Sequence, residues 1–390
     1  MRIGIVVQRY GEEVVGGAEL HARWIAQRLA QRHQVEVLTT CALDYLNWEN
    51  RYPEGVTELA GVPVRRFPTA RLRTAEGFDQ LSSKVHLSEH SEAEERRWME
   101  EHGPVTPGLL KHLRDHQRDY QALIFFSYRY WTTFHGLQLA PQKSILVPTA
   151  EEDGTVRLEL FKPFFLKPAA YAFNSVEERE LLLRASGASD LPGEVVGVGI
   201  EDEPVVEVAD IRRRLDLLGD FILYVGRIEH EKGCSRLFDD FLRFMQEEDR
   251  HLDLVLVGKP VLPIPHHPNI IHLGVLSDTE KLSAMGAARL LVHPSPFESL
   301  SMVLLEAWKM SRPALVNGRC PVLRGQVIRA SGGLYYNSHE EFAETLCWLL
   351  DHRLEADTMG RSGRAYFEAN YAWDVIMDKY ERLLAMAAGG

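Results

Sequence analysis

Short apolar runs alternate along the chain with longer stretches in which apolar residues recur every three or four positions. Ile3 to Val7 is continuously apolar, the pattern of a strand covered on both faces. A turn-rich stretch holding Gly11, Gly16 and Gly17 follows. Ala18 to Gln31 then places Leu20, Trp24, Ile25 and Leu29 on one helical face, and Val35 to Thr40 reads as the next strand. Strand, glycine loop, helix and strand make one βαβ unit. The alternation continues less cleanly to about residue 200. Val62 to Phe67, Ala122 to Phe126, Ser144 to Val147 and Tyr171 to Asn174 are strand candidates. Residues 75–118 are polar and helical in character, Glu177 to Arg184 is a helix, and Gly193 to Ile200 is a Gly/Val strand and loop.

A second series opens with the charged helix Val208 to Leu217. Its strands are Phe221 to Gly226, Leu252 to Gly258, Ile270 to Gly274, Arg289 to Pro294 and Pro313 to Asn317. Helices at residues 235–247, 278–286, 301–310 and 340–351 fall between or after them. Such alternation predicts α/β architecture, with parallel sheets covered by helices on both faces. The chain divides into two Rossmann-like, doubly wound domains, residues 1–200 and 201–370, and a tail, 371–390. Ligands of such domains bind beyond the carboxyl ends of the strands. The cleft between the two carboxyl edges is therefore the expected site.

Composition narrows the partners. The 390 residues fit two or three domains. Lys and Arg number 44 and Asp and Glu 56, a net charge of −12, which disfavours a nucleic-acid binder. A local basic pocket for an anionic small ligand is compatible with that sign. Four cysteines without C-x-x-C spacing form no disulfide framework and suggest a reduced, cytoplasmic setting. The apolar run at residues 3–7 is too short for a signal peptide, so none is expected, and no run reaches the ~18 apolar residues of a membrane span. Peripheral contact with the inner face of a membrane stays open, with Phe161 to Lys167 as the segment that mixes Lys and aromatics. Packing between elements is the favoured use of that segment.

Two motifs carry chemistry. Gly226-Arg227-Ile228-Glu229-His230-Glu231-Lys232-Gly233 runs from a strand end into a helix. A diphosphate calls for a forked Arg, a Lys point charge and a nearby helix start, and the flanking glycines allow tight turning. The alternative is a solvated charged loop. Phe297 to Trp308 follows the strand at residue 290 and carries Glu298 in the loop and Glu306 inside the helix. The amides of Leu300, Ser301, Met302 and Val303 open that helix and are suited to a second phosphate face. Glu298 could simply cap the helix. Glu306 interrupts an apolar run, where a carboxylate is costly unless something hydrogen-bonds to it.

The pair Gly-Arg-x4-Lys-Gly and Glu-x7-Glu resembles the retaining glycosyltransferases of family 4, GT-B enzymes with two Rossmann-like domains. Gly16-Gly17-Ala18-Glu19 resembles that family's N-terminal glycine loop, and Asn174 to Glu178 its S-x-x-E helix start. Val196-Gly197-Val198-Gly199-Ile200 stands where many members have a P-N-G-V-D turn, and Tyr371 to Leu384 resembles the last helix, which crosses back to the N-terminal domain. The resemblance implies that a hexose moves from a nucleotide-diphosphate sugar, UDP- or GDP-linked, to an acceptor hydroxyl on a saccharide, glycoconjugate or small molecule. It implies that Arg227 and Lys232 hold the diphosphate, that Glu306 bonds the ribose, and that Glu298 with the amides after it holds the sugar. Gly16 and Gly17 would let the first loop approach donor phosphate or acceptor. No cofactor is implied, and no metal, since the protein cations replace it. Asp239-Asp240 lies in a helix, and His266-His267 reads as a loop rather than a metal site.

Two departures stand out. Ser299 and Ser301 replace glycines common after the first Glu. Beyond Val147, where many members place a His-Asp or His-Glu step, Glu151 occupies the His position, followed by Glu152 and Asp153. A solvated acidic loop is the other reading of that cluster. His21 and His135 are further N-terminal candidates, with structural roles favoured. Tyr128 and Tyr130, beyond the strand at residue 122, suit either an aromatic platform for the acceptor or a packed core corner. Competing functions are a nucleotide-sugar epimerase or hydrolase, a dinucleotide oxidoreductase, and a non-catalytic nucleotide-sugar binder. The missing G-x-G-x-x-G counts against the oxidoreductase.

Overall fold

A computed structural model describes every residue except Val15, Leu218 and Gly390, and all side chains of the others but that of Ala75. The chain forms two compact units. Unit 1 comprises Met1–Gly197 and Ile376–Gly390, and unit 2 comprises Val198–Val375.

Unit 1 is built on an eight-stranded sheet. Its strands are β1 (Arg2–Val6), β2 (Gln34–Thr40), β3 (Gly55–Leu59), β4 (Val62–Phe67), β5 (Ala122–Phe126), β6 (Ser144–Val147), β7 (Ala170–Phe173) and β8 (Gly193–Val195), in the spatial order β3-β4-β2-β1-β5-β6-β7-β8. All pairings are parallel except β3 with β4. Ile3 lies opposite Val35 and Ala122. The strand runs at residues 3, 35, 62, 122, 144 and 171 are where the apolar pattern places them, to within a residue at most ends. β3 has no such pattern: its burial is slight, and Val56 is 52% exposed. It exists because Ala60 and Gly61, both at positive φ (49° and 77°), close a two-residue turn onto β4.

The polar stretch 75–118 folds as three helices, Ala75–Leu87, Glu92–His102 and Pro107–His116. The core of unit 1 packs Phe125, Phe134, Phe161, Phe164, Phe165 and Tyr171 together. Phe161, Phe164 and Phe165 are essentially inaccessible, and of that segment's large hydrophobic side chains only Leu166 is exposed. The aromatics considered for membrane contact are thus core, because their rings pack on Tyr128 and Phe134.

Unit 2 has six parallel strands: β9 (Phe221–Val225), β10 (Asp253–Val257), β11 (Ile270–His272), β12 (Leu290–His293), β13 (Ala314–Asn317) and β14 (Gly333–Tyr336). Their order is β11-β10-β9-β12-β13-β14, with Tyr224 opposite Leu256 and Ile222 opposite Leu290. The reversal of strand order between β9 and β12 is the switch point at which doubly wound sheets take ligands. β14 lies outside the sequence reading. It is four residues long, and its Gly333 touches the neighbouring strand so closely that a Cβ would stand 2.0 Å from the Ala314 carbonyl oxygen.

The final helix, Trp373–Ala388, belongs to unit 1 from Ile376 onward. Ile376, Tyr380, Leu383 and Leu384 are fully buried. Arg382 grips Glu194 of β8 with two nitrogens at 2.7 and 2.8 Å, and His33 lies 3.0 Å from Glu381. Among the described residues, no helix is long and apolar enough to cross a membrane.

Candidate functional site

At the carboxyl end of β9 the backbone turns through Gly226, at φ 147°. Gly258 stands at the corresponding end of β10, at φ 142°, and a Cβ there would sit 1.9 Å from the Gly226 carbonyl oxygen. The two strand ends touch backbone to backbone, an approach only glycine permits. The Tyr224 hydroxyl donates to the Arg227 carbonyl at 2.7 Å and fixes the loop from beneath. The Arg227 guanidinium is half exposed, 3.0 Å from Glu229 Oε1. The loop ends at Gly233, φ 76°, where the helix Cys234–Glu247 begins. A Cβ on Gly233 would lie 2.3 Å from the Pro294 carbonyl oxygen, so this loop is pressed against the turn after β12. That contact brings Lys232 Nζ to 2.8 Å from Glu298 Oε1.

The turn after β12 is itself pinned. Asn317 Nδ2 donates to the Pro294 carbonyl at 3.0 Å, and the Ser295 hydroxyl to that of Phe297 at 3.0 Å. Ser301 caps the helix Met302–Lys309, its Oγ accepting from the Leu304 amide at 3.1 Å. The amides of Met302 and Val303, at the first helical positions, have no intrahelical acceptor. His293, at the last position of β12, puts Nε2 at 2.8 Å from Ser301 Oγ and 3.8 Å from Glu298 Oε1. Burial pushes its imidazole down to about 4, so it is neutral near pH 7.

Glu306 lies within the same helix, 6% exposed. Its Oε1 meets Lys281 Nζ at 2.9 Å, and Lys281 also reaches Asp278 at 2.8 Å. Burial raises the Glu306 carboxyl above its ordinary value, with Lys281 opposing that rise. Burial also works against the Lys281 charge, but Glu306 and Asp278 outweigh it and raise its titration. Glu306 Oε2 is buried with no hydrogen-bond partner among the described residues. Such an atom is costly unless a ligand or water donates to it. The contact of Lys232 with Glu298 thus joins the loop after β9 to the turn after β12, while Arg227 pairs with Glu229 within the first loop and Glu306 is held by Lys281 one turn into the helix. Gly226, Arg227, Lys232, Glu298, Leu300, Ser301, Met302 and Glu306 all belong to these segments.

The candidates in unit 1 separate. Gly16 precedes the helix Gly17–Leu29, and a Cβ on it would fall 2.1 Å from Glu19 Oε2. Glu19 is buried in an ion pair with Arg9 at 2.5 Å, and Arg9 also donates to the Leu43 carbonyl at 3.0 Å. The glycine therefore makes room for a carboxylate that ties the first loop to the end of β1. Tyr130 is half-buried, stacked 5.0 Å from His102 and edge-on to Trp48 at 5.6 Å. Tyr128 corrects the platform expectation: it has no exposed surface, with its ring 4.7 Å from Phe161 and 5.2 Å from Phe165. It is the packed core corner.

Glu151 is half-buried in the turn after β6. Beside it Asp153 lies 3.0 Å from Arg129. Burial opposes the charge of Arg129, but Tyr128, Asp153 and Glu151 together hold it above the ordinary value. The acidic stretch after β6 is therefore partly engaged rather than merely solvated. His21 is buried and pushed down to about 3 by desolvation, with its ring edge-on to Phe126 at 5.2 Å. His135 Nε2 lies 3.1 Å from Glu100. Among the described residues, no cluster of three His, Cys, Asp or Glu side chains is set to hold a metal ion.

Sequence reasoning missed Lys281 and His293, whose partners lie on other elements. It also missed the paired strained positions Ser127 (φ 61°) and Thr149 (φ 51°), which close β5 and β6. Their hydroxyls lie 2.7 Å apart. Nearby, Glu178 accepts from the amides of Ala150 and Asn174, both at 2.6 Å, and burial pushes its carboxyl up to about 8. Left-handed non-glycine residues concentrate at functional sites, but nothing in a single sequence marks them.

Residues 219–352 match the family model of the group 1 glycosyl transferases. The match covers the heart of unit 2, including both motifs. No curated protein matches the chain. Solved structures do. Sucrose-phosphate synthase from Thermosynechococcus elongatus superposes with a TM-score of 0.73 at 18% identity, covering 99% of each chain. HepE of Anabaena, in complex with UDP-glucose, does so with a TM-score of 0.69 at 14% identity over 100% of each. WaaG, a glycosyltransferase involved in lipopolysaccharide biosynthesis, gives 0.65 at 16% identity over 100% of each. The chain has the GT-B fold of these proteins. Fold and family match together support a glycosyltransferase.

Proposed function

We propose that the chain is a retaining, metal-independent hexosyltransferase of the family 4 kind, moving a hexose from a nucleotide-diphosphate sugar to an acceptor hydroxyl. The observation that carries this reading is the contact of Lys232 with Glu298, which joins the loop after β9 to the turn after β12 inside the segment matched by the family model. Arg227 and Lys232 take the diphosphate. Glu306 Oε2, buried and unpartnered among the described residues, accepts from the ribose hydroxyls. Glu298 and the amides of Leu300, Ser301 and Met302 hold the sugar. The acceptor hydroxyl attacks the anomeric carbon on the face from which the diphosphate departs, and a leaving phosphate oxygen takes its proton. The protein's part is positioning and charge stabilisation of the leaving group.

A domain assignment follows from the same reading. Unit 2 serves the donor and unit 1 the acceptor, with Gly16, Gly17, Tyr130 and Glu151 at the acceptor end. Glu151 takes the place of the His that resembling enzymes carry. Tyr128 is set aside because it is buried. HepE has been solved with UDP and with UDP-glucose, which favours UDP-sugars as the first donors to try. A cytoplasmic setting, with Cys41, Cys234, Cys320 and Cys347 as free thiols, belongs to this reading.

The test is a thermal-shift screen of UDP-, GDP- and ADP-sugars, since a bound ligand raises stability by mass action. NMR of the product formed from the best donor and a panel of saccharide acceptors follows. The expected result is one donor series that raises Tm and a product that keeps the donor's anomeric configuration, with or without EDTA. An inverted product, loss of activity in EDTA, or a new nucleotide sugar made without any acceptor would each overturn the corresponding part of the proposal.

A further inference from the structure

His293 belongs to neither motif, yet its imidazole is buried between them. Nε2 lies 2.8 Å from the hydroxyl that caps the helix Met302–Lys309 and 3.8 Å from the carboxylate of Glu298. The Ser301 oxygen has two lone pairs. One receives the Leu304 amide at 3.1 Å, and the other is turned to His293. A proton on Nε2 fits both neighbours, since in the other tautomer a bare nitrogen lone pair would face a carboxylate. The N–H so placed donates to the Ser301 hydroxyl, and Glu298 Oε1, at 3.8 Å, lies beyond hydrogen-bond distance but faces the positive edge of the same imidazole. Ser301 stands where resembling enzymes often carry glycine, so this link depends on a hydroxyl that a glycine would not supply.

Glu298 is also held by Lys232, at 2.8 Å. If Lys232 also serves a diphosphate, the two anions compete for one ammonium, and the hold on Glu298 weakens as the donor arrives. We infer that His293 is a positioning residue that keeps Glu298 in register with the Ser301 cap while Lys232 is drawn to the donor diphosphate. A neutral imidazole suits this role. It orients the carboxylate without cancelling its charge, and so leaves Glu298 able to accept from sugar hydroxyls. The inference rests on the donor reading above and adds to it a residue outside both motifs.

Three variants test it: His293→Leu, which keeps apolar bulk without an N–H, His293→Gln, which restores a donor, and Glu298→Gln. Affinity for UDP and for UDP-glucose is measured by calorimetry, and kcat with the acceptor found for the wild type. His293→Leu is expected to bind UDP within about twofold of wild type, because UDP lacks the sugar. Its kcat is expected to fall roughly ten- to a hundredfold, the loss that a small misplacement of a positioned group brings. His293→Gln recovers part of that loss, and His293→Leu with Glu298→Gln is no worse than Glu298→Gln alone.

An unchanged kcat in His293→Leu overturns the inference. So does a loss that multiplies with that of Glu298→Gln, or a parallel fall in UDP affinity and Tm, which marks a role in packing alone. A wild-type chain that binds no uridine, guanosine or adenosine nucleotide sugar overturns the donor reading itself, and the inference with it.

Discussion

Arg227 and Lys232 occupy the same loop but different surroundings. Arg227 is half exposed beside Glu229, whereas Lys232 is less exposed and points at Glu298. On the proposed reading each supplies one electrostatic donor to the leaving group, an interaction whose removal typically costs about 10²–10³ in turnover. Arg227→Ala and Lys232→Ala are each expected to reduce kcat at least ~100-fold, measured with the cognate donor and acceptor. Near wild-type rates in either would remove that residue from the diphosphate site. Lys232→Ala carries an additional effect, because it leaves the half-buried carboxylate of Glu298 without that cation. These residues were legible because each motif is local in sequence. Their partners were not. Lys281 meets Glu306 from a separate helix, and His293 reaches Ser301 from the end of a strand. Such pairings depend on side chains converging from different elements, which no spacing rule within one element contains.

The elements around the site are held by a few close backbone approaches. Gly233 combines φ 76° with a space in which a Cβ would stand 2.3 Å from Pro294 O. Gly233→Ala therefore meets both the left-handed penalty, roughly 1–2 kcal/mol, and a clash with backbone that has no rotamer to yield. In a domain of this size each kcal/mol shifts Tm by about 2–4 °C, so a fall of several degrees is expected by circular dichroism. Binding of the nucleotide sugar should weaken with it, because the loop carrying Lys232 is displaced from the turn carrying Glu298. Unchanged Tm and binding would show that the loop tolerates the displacement. Element type was legible wherever apolar periodicity was strong, as in β9, β10 and the helix Gly17–Leu29. It was not legible for β3, which is polar and made by its turn, or for β14, a short Gly-led segment whose pairing with β13 identifies it.

At the scale of the whole molecule, the chain leaves unit 1 at Gly197 and returns to it at Ile376. The returning helix buries Ile376, Tyr380, Leu383 and Leu384 completely. At roughly 1.5–3 kcal/mol for each large apolar side chain, their removal approaches the ~5–15 kcal/mol by which a domain is normally stable. A chain ending at residue 375 is expected to lose the cooperative unfolding of unit 1 and much of its soluble yield, read by calorimetry and by gel filtration. Retention of the full-length melting profile would show the helix to be dispensable. Fold class, the two series of strands and the two charged loops after β9 and β12 were legible in the chain alone, because strand burial, helix periodicity and short motifs are written into neighbouring positions. That Tyr128 is core while Tyr130 is half-buried came only from the packing, since Tyr128 meets Phe161 and Phe165 whereas Tyr130 meets Trp48 and His102. The same holds for Glu306, which keeps one oxygen buried and unpartnered among the described residues, and for His293, which stands 3.8 Å from Glu298. Burial and pairing of a charged group depend on what other elements bring to within a few ångströms of it.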